Sequence, residues 1–329
     1  MNDQPADPER SAPEHHVDHL HHVGHLVRDM PAATALYERL GFRVQPPAYP
    51  ALAPYEGARP RPFGAGNAHV ELQGNFVELA TVITGDGSAE ADSGAQIVPL
   101  EAPPEALERL TAAIEHTAAR IADALERFEG LHILALRTPD ADAAAARLTD
   151  DGVGNGGVNR LHRPVETQDG TRTVEIGYVE IDDGSPATPE GRLTVAEGVP
   201  QPEVRHPNGA TELVGVILCA PDAELGGHEK RYAAYLGRRA RSRGPARVFD
   251  LEGSEVVLVA GSDISALLPG ENPPLEPAFV GFVVTVRDLR ATEDLVRGNG
   301  FPVKRTSTGD VLVPSSAALG SAIVFRQNH

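Results

Sequence analysis

The side chains best suited to chemistry in this chain are its imidazoles, its carboxylates and one thiol. His15, His16, His19, His21, His22 and His25 crowd a single stretch near the start. Imidazole titrates near neutral pH and binds divalent metals, but a His-rich strand end is usually solvated or holds metal only incidentally. The face each histidine occupies decides between these cases. If the stretch is a strand, His25 points away from His22, because successive side chains alternate. Cys219 is the single cysteine, so no internal disulfide forms. Its place in the apolar run Leu213 to Cys219 marks a buried thiol rather than a nucleophile.

The elements that must position these groups follow from periodicity. Val17 to Val27 reads as a strand. Pro31 to Leu40 then places Ala32, Ala35, Leu36, Arg39 and Leu40 at helical spacing before Gly41 ends the run. Two strands, AHVELQG and NFVELATVI, flank a tight Gln73-Gly74-Asn75 turn. After a Gly/Ser/Asp linker, Leu107, Leu110, Ile114, Ala118, Ile121 and Leu125 predict a long amphipathic helix over 103–128. The strand, helix and strands unit recurs from Gly130, and two further copies begin at ELVGVILCAPDAE and AFVGFVVTVRDLR. Gly253 falls on Gly74 and Leu258 on Leu79 when the closest internal match is aligned.

A chain of 329 residues is long enough for two cores. Residues 1–16 are polar, aperiodic and expected to form a disordered tail. The formal net charge of −18 repels phosphate backbones and anionic lipid alike, so neither nucleic acid nor a membrane is an expected partner. The start has no basic and then apolar leader, and no window is apolar for long enough to span a bilayer. A cytoplasmic location is expected.

The four units, the opening LHHVGHLVRDMPAATALYERLGF and the strand GNFVELATV resemble the vicinal oxygen chelate superfamily, particularly its glyoxalase-like members, from about residue 17 to the end. The resemblance implies an α+β fold of four βαβββ modules paired into two cup-shaped mixed sheets. It divides the chain into an N-terminal domain, 17–205, and a C-terminal domain, 206–329. The first holds modules 17–84 and 128–200, joined by helix 103–128. Four modules can build both cups in one chain, so a monomer or a homodimer is expected.

Family position implies one divalent metal (Zn, Ni, Co, Mn or Fe) held by His22, Glu78, His132 and Glu197, a donor set that suits borderline or hard ions. Glu175 and Glu180 compete with Glu197 for the fourth place. The corresponding residues of the second half are Gly215 (or Val214), Val257, Gly281 (or Val280) and Arg326, so that half is expected to lack a metal. Asn67, His69, Arg160 and His162 fall near the expected cup and are candidates to orient a substrate, as are Arg163 and Arg172.

Such a metal would chelate two adjacent oxygens of a small-molecule substrate and stabilise an enediolate, with Glu78 or Glu197 as the proton carrier. Isomerase, epimerase or lyase chemistry is the leading expectation. An iron-dependent extradiol-type dioxygenase using His22, His132 and Glu197 is the alternative. Antibiotic sequestration without turnover is a third reading, disfavoured by the His-Glu-His-Glu set. The low aromatic content, 5% with no Trp, gives no platform for stacking a flat ring.

Overall fold

The computed structural model describes residues 16–328 apart from 54, 56, 86, 88–93, 168, 169, 182–188 and 199–203. The expected tail lies outside the described residues except for His16, as do the side chains of 162–172.

Three helices share one punctuation. Asp29, Asp140 and Asp288 each accept a hydrogen bond from the backbone N–H three residues on (2.9 Å in each case), opening α1 (Met30–Arg39), α3 (Ala141–Asp150) and α6 (Leu289–Gly298). Gly41, Gly152 and Gly300 follow them with φ of 86, 73 and 85°, a backbone that favours glycine and lets the chain turn back. The long connecting helix, α2, spans Pro104–Arg127, and α4 spans Leu225–Leu236.

Each unit contributes a first and a last strand that pair in parallel, and first strands pair antiparallel between units. β1 (His19–Leu26) lies between β5 (Phe76–Val82) and β7 (Gly130–Thr138). Beyond β5 come β4 (Ala65–Glu71) and β2 (Ala48–Leu52), which carries the short β3 (Arg61–Pro62) and β6 (Gln96–Pro99). Beyond β7 come β10 (Arg192–Glu197), β9 (Gly170–Ile181) and β8 (Asn155–Thr167). The second half repeats this plan with β11 (Ala210–Ala220) and β15 (Ala278–Val286) at its centre. On one side lie β14 (Glu255–Ala260), β13 (Ala246–Asp250) and β12 (Arg241–Arg243). On the other lie β18 (Ala322–Gln327), β17 (Val311–Val313) and β16 (Lys304–Arg305). The architecture is α+β: two mixed sheets, one from each half, are joined into one by a single antiparallel pair between β7 and β15, Leu131 with Phe279.

One core joins the halves. Leu20, Val23, Tyr37 and Leu134 of the first half share a continuous apolar cluster with Val216, Phe282, Val284 and Phe325 of the second. Phe42 stacks on Phe325 at 5.9 Å, and Asn75 exchanges two hydrogen bonds with the Leu213 backbone, at 2.8 and 3.0 Å. Glu190, fully buried, takes two hydrogen bonds from Arg231 (2.7 and 2.9 Å) and one from the Tyr232 hydroxyl (3.0 Å). The opposite face of each sheet forms its cup.

Candidate functional site

Alternation in β1, offset by a register shift between Leu20 and His22, sends Leu20 and Val23 into the shared core and His22 and Gly24 to the cup. Phe76, on the adjoining strand, stacks on the His22 ring at 4.5 Å and meets the His69 ring at 4.6 Å. Across the turn at Gly74, His69 of β4 pairs with Glu78 of β5. The Glu78 carboxylate therefore sits among three polar neighbours: Asn67 Nδ2 donates to Oε1 at 2.9 Å, His69 Nε2 lies 3.9 Å from Oε1, and His22 Nε2 lies 3.8 Å from Oε2. On its other side His69 Nδ1 meets Glu71 Oε1 at 3.3 Å.

Burial acts against charge at both Glu78 and His69, and proximity reverses it. Glu78 is held far below the usual carboxylate range by His69, His22 and Asn67. His69 is raised to about 9 by Glu71 and Glu78. The resting cluster is thus a carboxylate anion beside an imidazolium.

Glu78 and Asn67 line a cavity of about 320 Å³ with Tyr49, Ile133, Ile121 of α2 and Arg192. The connecting helix lies across this cup: Ile121 and Leu125 pack with Leu26, Ala80 and Ile133. Gly24 has to be glycine at this crossing, because a Cβ there would come within 2.5 Å of the Ile133 side chain. Arg192 Nη2 donates to Glu180 at 3.2 Å, and Arg120 of α2 also pairs with Glu180, while Arg192 Nε is buried without a partner. Against the cost of burial, the two guanidiniums hold Glu180 below the usual carboxylate range.

Two of the four expected metal donors are therefore in this cup, and two are elsewhere. A register shift between Gly24 and His25 puts Ile133, not His132, opposite Gly24. His132 instead donates from Nε2 to the Phe128 carbonyl at 2.9 Å, and burial pushes its pKa down to about 4. Because His22 faces Ala135 and Gly24 faces Ile133, the antiparallel pairing makes Ile133 the counterpart of His22 and Ala135 that of Gly24. Glu78 is the partner of Gly24, and Thr194 that of Ala135, so Thr194 rather than Glu197 occupies the place equivalent to Glu78.

Glu197 faces the helices. It accepts from Ala141 N at 3.1 Å and Gly177 N at 2.8 Å, clasping the start of α3 to the sheet. Gln327, at the end of β18, accepts from Leu289 N at 2.9 Å at the start of α6, the same device in the second half. It is Gln327, not Arg326, that mirrors Glu197. The competitors differ: Glu180 faces the cup, whereas Glu175 pairs at 3.4 Å with Arg160. Arg160 is exposed and also bonded to Asp142 of α3, away from the cup, and the His162 side chain lies outside the described residues.

Among the described residues no three His, Cys, Asp or Glu side chains converge as a metal-binding group. Glu78 stands between His22 and His69 instead of joining them at one point, so the residues present do not fit the four-donor set. Glu71, Arg120 and Arg192 had escaped the sequence analysis as cup residues, whereas Glu180 had been named there as a competitor for the fourth place. The signal for Arg192 was its alternation with Thr194 on β10.

His19 and His25 of the opening stretch are structural. His25 is fully buried, bonded to the Tyr37 hydroxyl at 2.7 Å and to the Leu319 carbonyl at 2.8 Å. His19, also buried, pairs with Glu212 at 3.1 Å. Cys219 is buried, and its thiol is pushed up to about 12 by burial and by Glu276.

Comparison with known proteins agrees with this fold. A family model described as a glyoxalase-like domain matches residues 20–236. Comparison with curated proteins finds no match. Among solved structures, a triple mutant of 4-hydroxymandelate synthase from Streptomyces coelicolor is 12% identical with a TM-score of 0.55, over 94% of this chain and 92% of that one. A hypothetical protein from Staphylococcus aureus is 10% identical with a TM-score of 0.54, over 94% and 99%. A fusion of a xylose isomerase-like TIM barrel with 4-hydroxyphenylpyruvate dioxygenase is 12% identical with a TM-score of 0.52, over 99% of this chain and 52% of that one. At these identities the likeness concerns the fold alone. No described helix is long and apolar enough to cross a membrane. The family model spans most of the chain, and the chain belongs to the glyoxalase-like domain family of the vicinal oxygen chelate superfamily.

Proposed function

We propose that the N-terminal cup binds a small oxygen-bearing molecule and moves a proton on it, in the manner of an isomerase, epimerase or lyase. The observation that carries this reading is the Glu78 carboxylate, set in a cavity wall between two imidazoles and fixed by Asn67. A proton acceptor and a charged proton donor, Glu78 and His69, stand side by side. A substrate that displaces His69 from Glu78 weakens the interaction that keeps the carboxylate acidic and so makes it a better base. Arg192, with its buried unpartnered Nε, supplies positive charge for an oxyanion formed as the proton leaves.

No step is routed through a metal, because the expected donors do not converge. The oxygenase alternative would draw on His132 and Glu197, which are engaged elsewhere, and this favours the proton-transfer reading.

The test is exchange of carbon-bound protons in D2O, followed by NMR over a panel of 2-hydroxy ketones and 2-oxo acids, with melting-temperature shifts to report binding. Wild type should exchange at least one compound that also shifts its melting temperature. Glu78→Gln should lower the rate by about 100-fold or more while keeping the shift. Binding without exchange in wild type would overturn the reading and leave a sequestering protein.

A further inference from the structure

The second half carries a cavity of about 280 Å³ in its own cup. At the places equivalent to His22 and Glu78 stand Gly215 and Val257, while Gly281 and Val324 occupy those of Ile133 and Thr194. The floor is accordingly apolar, with Ile217, Val257, Val283 and Val324 in the wall and Leu267 and Leu268 of the short α5 (Ile264–Leu267) and its following residue along one side.

One end of the cavity is charged. Arg243 forks onto Glu255 at 2.7 and 3.1 Å. Arg326 bridges Glu255 (3.2 Å) and Asp310 (3.1 Å), and the Thr308 hydroxyl donates to Asp310 at 3.1 Å. The two signs are not equally presented. Both carboxylates keep only 10% of their side-chain surface, whereas Arg326 keeps 30% and Arg243 39%. Arg326 Nη2 makes no hydrogen bond among the described residues. The buried acids hold the guanidiniums in place, and the guanidiniums are what a ligand meets. Nη2 of Arg326 and the N–H groups that Arg243 does not spend on Glu255 are pre-positioned donors that match a carboxylate.

We propose that the C-terminal cup is a second binding site, which takes a small molecule with an apolar body and a carboxylate head, the head on Arg326 and Arg243 and the body against Val257, Val283 and Leu267. This site stands apart from the N-terminal cluster and does not depend on its function.

Isothermal titration of the unaltered protein with octanoate should give saturable heat. Affinity should fall about 10-fold or more with octan-1-ol, and equally for octanoate in Arg326→Gln. Circular dichroism checks that the variant folds; if it does not, the comparison of octanoate with octan-1-ol decides. No saturable heat up to millimolar octanoate, or equal affinity for acid and alcohol, overturns the proposal.

Discussion

Two buried imidazoles with opposite environments give the molecule opposite responses to pH. His25 is lowered to about 4 by burial, from 6.5. The unfolded chain therefore takes up a proton that the folded chain refuses between those values, so its stabilisation is complete above pH 6.5 and is lost as pH falls toward 4. His69 is raised to about 9 and does the reverse: its contribution is complete below pH 6.5 and is lost as pH rises through about 9. Urea midpoints should decline on both sides of neutrality. In NMR titrations the His25 ring signals should stay unmoved from pH 8 to pH 5; a midpoint near 6.5 would show that the ring is not held neutral by burial. A second expectation concerns the donors. Because His132 is bonded to the Phe128 carbonyl away from the cup, His132→Ala should leave the divalent-metal content of the purified protein unchanged, as elemental analysis would report.

At the scale of elements, Glu197 acts as a clasp between the last strand and the helix of its module. Glu197→Ala strips acceptors from two backbone N–H groups and should cost about 1 kcal/mol in chemical denaturation, with ligand binding in the N-terminal cup intact. The connecting helix is held by side chains set into the cup, and Ile121→Ala should cost about 2 kcal/mol. These elements were largely legible beforehand. The Asp-helix-Gly punctuation located three helices, and the 3.6-residue spacing located α2 within a residue at each end. A turn centred on Gly74 would set His69 against Leu79; the hairpin turns between Gln73 and Gly74 and sets His69 against Glu78, a one-residue difference that the sequence does not announce. The role of His132 was not legible, because a β-bulge moves register by one without any residue that announces it. The only trace was a count: His22 lies seven residues before Asp29, while His132 lies eight before Asp140 and Ile133 lies seven. Glu197 misled for the neighbouring reason. It ends a strand of the expected type, but it falls on the helix-facing side of the alternation.

The whole molecule is one cooperative body by the logic of its packing. The sheets meet through helices and strands that share a single apolar cluster, and each half alone would expose Phe42 or Phe325 and the faces around them. Calorimetry should show one transition, and residues 206–329 expressed alone should not melt cooperatively. Two separate transitions would refute the shared core. Glu190 is the sharpest probe of this seam, since Glu190→Ala leaves Arg231 without its buried partner and should cost about 3 kcal/mol.

The paired clasps at Glu197 and Gln327 have a consequence for inheritance and design. Each locks its module from the side that never meets a ligand, so cup-facing positions such as His22 and Glu78, or Gly215 and Val257, have no part in holding the helix to the sheet. A duplicated gene can exchange imidazole for glycine and carboxylate for valine on that side while keeping the same scaffold. By the same reasoning, histidine and glutamate grafted at Gly215 and Val257 would stand on strands placed as those of His22 and Glu78, provided Val283 yields to the new Cβ, which would lie 3.0 Å from it.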